Sequence, residues 1–516
     1  MLFNSYEFLF LYLPVVTAVF FLIARNSHRL AALWLVAASL FFYGWWNPAY
    51  VSLLMASIMF NFGMGHAISR ARTAQGVSWQ TKLLFWLAIA INLALLGYYK
   101  YFNFFVTVTN DLAGTRLVLT EIVLPLGISF FTFTQIAFLA DVYRGIAREY
   151  NFIHYVLFVT YFPHLIAGPV LHHKQMMPQF ALAETYRLTP ENLNIGLTIF
   201  AIGLFKKVML ADQFALYANP VFDAVSQGGE PKLIEAWTGS LAYTFQLYFD
   251  FSGYTDMAIG LSRLFNVRLP INFNSPYKAG NIIEFWRRWH MTLSAFLREY
   301  LYIPLGGNRH GPVRRYANLL ITMLLGGFWH GANWTFLVWG GLHGIYLVIN
   351  HAWIALRQRL NIPALPYGRP FAVAITFAVV VIAWIPFRAD NLSSACRMFL
   401  GLIGANGVSM PVSLAAFMSP LTWFEVSFNG AYPLTGLSIT ETALWLVTGL
   451  IIVWCLPNAV QFVTGAGAYF DGKRCPSQWQ WQCWRPSARI AMITGVSLAV
   501  SCLGISRASQ FIYFQF

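Results

Sequence analysis

Two histidines in the stretch 281–350 have surroundings that suit proton transfer. The first, His330, lies in LLGGFWHGANW, between two apolar runs and among small residues that allow close approach to the backbone. Ionisable side chains at membrane depth are energetically costly, so their presence there indicates function by default. A neutral histidine can accept a proton, as a general base must. The alternative is a buried histidine that is hydrogen-bonded between helices.

The second histidine, His290, is part of a polar pattern. If residues 281–300 form one helix, steps of three or four residues place four polar side chains on one face: Arg287, His290, Ser294 and Arg298. The predicted helix is amphipathic, with aromatic residues on its other side. Such a helix can line a site, or it can lie flat on anionic lipid. Histidine adds little to lipid anchoring, so we favour a site for His290.

A glycine- and proline-rich segment, LYIPLGGNRHGPVRRYAN, follows this helix. Its glycines and prolines predict a loop. Its arginines, Arg309, Arg314 and Arg315, predict a cytoplasmic position. A basic loop beside a membrane cavity suits a ligand that carries phosphate groups. The positive-inside rule explains the same charges equally well.

The composition shows what kind of chain must position these residues. Of 516 residues, 58% are hydrophobic and only 10% are charged, whereas soluble domains carry about 25% charged residues. We therefore predict an all-α, polytopic membrane protein. The positive-inside rule accounts for most of the net charge of +14, so we predict a lipid bilayer and no nucleic acid as the partner. The five cysteines have no metal-type spacing, and we predict no metal site.

Apolar runs predict about 11 to 15 transmembrane or re-entrant helices. The first run lacks a basic segment before it and a cleavage site after it, and Arg25 and Arg29 follow it, which predicts a retained first span with its N-terminus outside. Prolines and glycines interrupt segments 121–145 and 154–178, which predicts broken helices that line a cavity. His164, in the second of these, is either a cavity residue or a structural histidine. The clean runs are 8–24, 30–46, 51–68, 83–99, 195–210, 372–387, 443–456 and 490–505.

The segment 235–265 is too polar for a lipid-facing span and too apolar for a loop. We predict helices that pack inward around a wet interior. Its two aspartates, Asp250 and Asp256, are either structural partners of basic groups or site residues. A long and mostly uncharged loop is predicted at 404–436.

Six motifs resemble the membrane-bound O-acyltransferase (MBOAT) superfamily, and within it the bacterial alginate O-acetylation membrane proteins. They occur in the family's order within residues 1–390. The motifs are LPLGISFFTF (124–133), YFPHLIAGPVL (161–171), QLYFDFSGYTDMAIGL (246–261), NFNSPY (272–277), FWRRWHMTLSAFLREYLYIPLGGNR (285–309) and LLGGFWHGANWTFLVWGGLHG (324–344).

The resemblance implies a ring of tilted helices around a central tunnel. Residues 1–390 would form the membrane core, with the catalytic stretch at 281–350, and residues 391–516 would complete the same domain. It also implies acetyl transfer from a cytoplasmic donor, with acetyl-CoA as the expected donor and no permanently bound cofactor. The expected setting is the bacterial inner membrane, where periplasmic acetyltransferases would pass the group to an exopolysaccharide such as alginate or cellulose.

By the same resemblance, His330 matches the family's signature histidine and His290 matches the second residue of its catalytic pair. His330 would deprotonate the attacking hydroxyl, and His290 would orient the acceptor or polarise the thioester carbonyl. Substrate- or donor-binding roles are expected for seven further residues: Arg287, Trp289, Ser294, Arg298, Arg309, Trp329 and Asn333.

Two other functions are compatible with the sequence. Broken helices and a polar interior also suit a transporter or flippase of a polysaccharide or an acyl carrier. A scaffold that docks periplasmic acetyltransferases is the third possibility. A transporter needs alternating access but no general base, so variants of His330 distinguish it from an enzyme.

Overall fold

The computed structural model describes residues 1–72, 77–120, 122–147, 151–166, 168–362, 368–415, 426–463, 484, 486–505 and 511–512. Twenty α-helices lie within these ranges: α1 (Leu13–Ala24), α2 (His28–Gly44), α3 (Ala49–Ala71), α4 (Trp79–Leu96), α5 (Phe102–Ala113), α6 (Ile128–Tyr143), α7 (Phe152–Thr160), α8 (His173–Phe180), α9 (Pro190–Phe205), α10 (Asp212–Ser226), α11 (Leu233–Leu264), α12 (Ile282–Trp286), α13 (Met291–Leu297), α14 (Gly311–His330), α15 (Trp334–Arg359), α16 (Gly368–Arg388), α17 (Leu392–Leu402), α18 (Ile439–Cys455), α19 (Ala459–Val463) and α20 (Ala488–Gly504). Short π-helical turns at Phe8–Tyr12, Gly97–Tyr101, Lys206–Ala211 and Arg298–Tyr302 adjoin α1, α4, α9 and α13.

Several helices have the length and composition of membrane spans. Within the described ranges, four helical segments are long and apolar enough to cross a bilayer: Ala49–Ala71, Trp79–Ala113, Pro190–Ser226 and Gly368–Arg388. Six shorter helices are also apolar: Phe8–Ala24, His28–Gly44, Ile128–Tyr143, Leu392–Leu402, Ile439–Cys455 and Ala488–Gly504. The predicted all-α, polytopic class is confirmed.

The broken segments are also confirmed. Helix α6 begins only at Ile128, after Pro125 and after Gly127, whose φ of 72° lies in the left-handed region that glycine adopts readily. In the second broken segment, α7 ends at Thr160 and α8 begins at His173, and the described residues between them are not α-helical.

The segment 404–436, predicted as a loop, contains a short parallel strand pair. Strand β1 (Val408–Pro411) pairs with β2 (Val426–Asn429), with Val408 opposite Val426. The loop prediction is wrong for these two strands, since their backbones are hydrogen-bonded to each other. Residues 416–425 lie outside the described residues.

Contacts divide the chain into two compact units. Unit 1 comprises Met1–Phe205, Gly253–Asn272 and Ala459–Ala508. Unit 2 comprises Lys206–Ser252, Phe273–Asn458 and Ser509–Phe516. The whole stretch 281–350 therefore lies in unit 2.

The prediction of one continuous helix over 281–300 is wrong. Helix α12 ends at Trp286, and His290 has φ 42° and ψ 53° before α13 begins. A left-handed residue redirects the chain, so spacing counted across it no longer defines a helix face. The arginines accordingly point elsewhere than the histidine: Arg287 and Arg298 are exposed, whereas His290 is fully buried.

The loop after α13 is shorter than predicted. Helix α14 begins at Gly311, with Pro312 in its first turn, so Arg314 and Arg315 are helical. Proline is well tolerated there because the first helical N–H groups have no intrahelical acceptor. Only Arg309 of the three arginines remains in the loop.

Candidate functional site

Helices α14 and α15 form an antiparallel hairpin that positions His330. Gly327 on α14 lies so close to α15 that a Cβ atom there would meet the carbonyl oxygen of Phe336 and the backbone of Gly340. Small residues permit such close helix contacts in membranes. The LLGGFWHG motif is thus explained by packing as well as by chemistry, and it places His330 at the last turn of α14.

An aromatic cluster surrounds His330. Its ring centroid lies 4.9 Å from that of Trp329, 5.0 Å from Trp339 and 5.2 Å from Phe387. The side chain is buried, with 5% of the residue exposed. The contacts with Trp339 and Phe387 are edge-to-face, at 87° and 73°. Tight packing by three aromatic rings restricts the orientations available to the imidazole.

His290 reaches the same cluster from the kink between α12 and α13. Its ring lies 4.8 Å from Phe251 and 6.5 Å from both Phe273 and Trp329. Trp329 therefore neighbours both histidines that the sequence singled out. A buried non-glycine residue with positive φ is energetically costly, and such strain is characteristic of functional sites.

The predicted supporting residues separate into three groups by burial. Trp289 and Trp329 are both buried; Trp329 belongs to the cluster, and Trp289 lies 4.9 Å from Trp384, which in turn lies 5.8 Å from Trp339. Ser294 is half-buried, and Asn333 caps α15 by accepting from the Thr335 N–H at 3.1 Å and donating to the Asp390 carbonyl at 2.8 Å. The arginines Arg287, Arg298 and Arg309 are exposed, outside this aromatic cluster.

The structure adds a third histidine that the sequence analysis missed. His343, on α15, is fully buried, and its ring lies 4.9 Å from Trp339. Trp339 thus contacts His330 and His343 at once. The signal was present in VWGGLHG, which, like the segment around His330, places a histidine next to glycines in an apolar run.

Next to this cluster, unit 2 contains a buried network of charges. Lys207 Nζ lies 2.7 Å from Asp250 Oδ1 and 2.8 Å from Asp212 Oδ1. The Ile512 N–H donates to Asp250 Oδ2 at 2.9 Å. Asp250 is therefore a structural partner of a basic group, one of the two roles predicted for it. It immediately precedes Phe251, whose ring packs against His290.

Two residues of unit 1 were also considered from the sequence. His164 is buried there, with its ring 6.0 Å from Tyr161. Asp256 is buried as well. Unit 1 also contains a buried histidine–carboxylate pair that the sequence analysis did not predict, in which His173 Nδ1 lies 3.1 Å from Asp141 Oδ2.

Comparison with protein families identifies the chain. The model of MBOAT, the membrane-bound O-acyltransferase family, matches residues 73–385. The protein belongs to this family. The match covers more than half of the chain and includes His290, His330 and His343. The suspected resemblance is confirmed, and the protein is an acyltransferase and a multi-pass membrane protein.

Curated relatives of this membrane-bound O-acyltransferase act on different molecules. A peptidoglycan O-acetyltransferase of Helicobacter pylori is 44% identical over 437 residues, which cover 80% of this chain and 81% of the relative. A probable alginate O-acetylase of Azotobacter vinelandii is 43% identical over 410 residues, or 78% of each chain. A teichoic acid D-alanyltransferase of Streptococcus thermophilus is 29% identical over 301 residues, which cover 55% of this chain and 71% of the relative.

Proposed function

We propose that this membrane-bound O-acyltransferase takes acetyl groups from cytoplasmic acetyl-CoA and moves them across the bacterial inner membrane for O-acetylation of an exopolysaccharide. The observation that carries the proposal is the convergence of His290 and His330 on Trp329, at ring distances of 6.5 and 4.9 Å. Two buried imidazoles beside one indole supply a proton acceptor and a second polar group in a site from which water is largely excluded.

In the proposed reaction, His330 accepts the proton of the attacking hydroxyl while the hydroxyl oxygen bonds to the thioester carbonyl carbon. The carbonyl oxygen becomes an oxyanion, and a hydrogen bond from His290 stabilises it or orients the acceptor. When the C–S bond breaks, the CoA sulfur leaves with the electron pair and receives the proton from His330. The products are an acetyl ester and free CoA, and the histidine returns to its neutral form.

The proposed donor side is the end of the hairpin that carries arginines. Arg309, Arg314 and Arg315 lie near the start of α14, and cytoplasmic segments of membrane proteins are enriched in such residues. Guanidinium groups bind phosphate through paired N–H donors. We therefore assign the phosphates of CoA to this basic segment.

The proposed acceptor is a polymer outside the cytoplasm. Relatives named as alginate and peptidoglycan O-acetylating proteins support a polymeric product. We propose alginate or a related exopolysaccharide such as cellulose, with a periplasmic acetyltransferase completing the transfer. The Helicobacter pylori relative favours one second candidate, which is peptidoglycan.

The acceptor is tested in cells that lack the chromosomal copy of this chain. Acetate released by mild alkali is measured separately from purified exopolysaccharide and from purified peptidoglycan, after complementation with wild type, His330→Ala or His28→Ala. His28 is an exposed histidine of α2 in unit 1 and serves as the matched control. We expect esters in the exopolysaccharide with wild type and His28→Ala but not with His330→Ala. Esters in peptidoglycan alone would refute the proposed acceptor, and wild-type levels with His330→Ala would refute the mechanism.

A further inference from the structure

Three side chains of unit 2, His343, Trp339 and Trp286, bring buried polar atoms together, and Trp339 also contacts His330. The ring of His343 lies 4.9 Å from Trp339 and 5.1 Å from Trp286, and the two indoles lie 5.9 Å apart. We call these three residues the His343 triangle. Both imidazole nitrogens and both indole Nε1 atoms are buried, and none has a hydrogen-bond partner among the residues that the structure describes.

Such a concentration of unpartnered polar atoms is unusual. Buried polar groups in folded proteins are nearly always hydrogen-bonded, and each exception calls for an explanation. A phenylalanine at 343 would fill a similar volume without the desolvation penalty that the imidazole incurs. The His343 triangle therefore reduces stability in the unliganded protein, as residues retained for binding do.

The position of the triangle within the hairpin indicates which substrate it meets. Gly344 lies against Leu320 and Met323 of α14, so His343 is displaced from His330 along the hairpin, while Trp339 still contacts both imidazole rings. That displacement is toward Arg314 and Arg315, at the start of α14. If the basic end is cytoplasmic, the triangle lies between the cytoplasmic entrance and His330, on the side from which an acyl donor would arrive.

The chemistry of the triangle restricts the group that it can bind. Indole nitrogens only donate hydrogen bonds, whereas a neutral imidazole donates from one nitrogen and accepts at the other. A cation is disfavoured because the two indole N–H groups cannot accept hydrogen bonds from it. An anion is disfavoured because it would be buried among aromatic rings without a countercharge. An amide offers a carbonyl acceptor for the indoles and an N–H donor for the imidazole.

We infer that the His343 triangle binds an uncharged amide of the acyl donor, such as those in the arm of CoA, and so positions the thioester for His330. This inference rests on the proposed use of acetyl-CoA. His343 is a positioning residue, because it acts on the donor away from the reacting atoms. Its loss should weaken donor binding more than it slows the chemical step.

The test compares His343→Phe with wild type in nanodiscs, using acetyl-CoA as the substrate and CoA as the calorimetric ligand. We expect His343→Phe to raise the KM for acetyl-CoA and the Kd for CoA at least tenfold, with a Tm equal to or above that of wild type. His343→Gln, which keeps a donor and an acceptor, should recover part of the affinity. Trp339→Phe provides a second variant that removes a donor and keeps a ring. Trp353→Phe is the control, since Trp353 is exposed on the same helix.

The outcomes separate this inference from the proposed function. Unchanged KM and Kd in His343→Phe and Trp339→Phe would overturn the inference while wild-type turnover still supported acetyl transfer. A fall in kcat and Tm at constant KM would also overturn it, because that is the result of a structural role. If wild type bound CoA without turnover, the Kd comparison would still decide the role of the triangle. If wild type did not bind CoA, both proposals would be wrong.

Discussion

Lys207 and Asp250 form an ion pair with an N–O distance of 2.7 Å, and both residues are at least 98% buried. The two residues are 43 positions apart in the sequence, so their pairing connects the π-helical turn after α9 to the middle of α11. Asp250 is adjacent to Phe251, which packs on His290. The pair thereby supports one side of the candidate catalytic cluster.

The first prediction concerns this pair. Lys207→Met removes the cation that faces the buried Asp250 and the half-buried Asp212, and removing one partner of a buried pair costs about 3–5 kcal/mol. Asp250→Asn should cost less, because Lys207 keeps Asp212 and the new amide oxygen can accept from Ile512. Thermal unfolding in detergent measures the stability of both variants.

Asp223→Asn is the control, since Asp223 is largely exposed in its pair with Arg388 and such pairs contribute at most about 1 kcal/mol. Equal Tm values for Lys207→Met and the control would contradict the structural role.

The second prediction separates the backbone of His290 from its side chain. Asparagine adopts the left-handed conformation more readily than most residues, so His290→Asn should retain the kink and a Tm near that of wild type. The shorter side chain moves its N–H donor away from the position of the imidazole N–H, so the variant should still lose acetyl transfer by about 10²-fold, the cost of removing one oxyanion donor. Alanine neither favours the left-handed conformation nor carries a hydrogen-bond donor, so His290→Ala should lose activity and stability together. Wild-type activity in His290→Asn would show that only the backbone at this position matters.

The third prediction concerns the α14–α15 hairpin. Gly327→Ala places a methyl group against the Phe336 carbonyl and the Gly340 backbone, and such overpacking typically costs about 1–3 kcal/mol. Gly341→Ala is the matched control on α15, because its Cβ would make an ordinary contact with Leu324. Alanine also favours the helix over glycine by about 1 kcal/mol. We expect a lower Tm for Gly327→Ala and an unchanged or higher Tm for Gly341→Ala. The reverse order would contradict the hairpin packing.

The membrane character and the breaks in the helices were predictable because their signals are local. Apolar runs mark spans, and the Pro125–Gly127 and 163–169 clusters remove backbone hydrogen bonds that a straight helix needs. The kink at His290 has no such signal, since no proline or glycine lies between Trp286 and Met291. Tertiary packing decides that position, and for this reason the continuous-helix prediction was wrong.

The candidate site was predictable only in part. His330 was predicted because it has glycine neighbours and also matches the family's signature histidine. His343 has similar neighbours and lies in the same motif, but the resemblance assigned it no role. The shared neighbours Trp329 and Trp339 could not be derived from spacing, because they depend on how α14, α15 and the α12–α13 kink meet. The assignment of roles to His290 and His330 remains a prediction.

The rate of acetyl-CoA turnover by purified His330→Ala in nanodiscs tests the central claim most directly. Radiolabelled acetyl-CoA reports the rate at which the acetyl group leaves the sulfur, and calorimetry with CoA verifies that the variant still binds its donor. We predict a fall in rate of about 10²–10⁴-fold relative to wild type and to His28→Ala, with the Kd for CoA within about twofold. An unchanged rate in a folded, CoA-binding His330→Ala protein would contradict the assignment of His330 as the base.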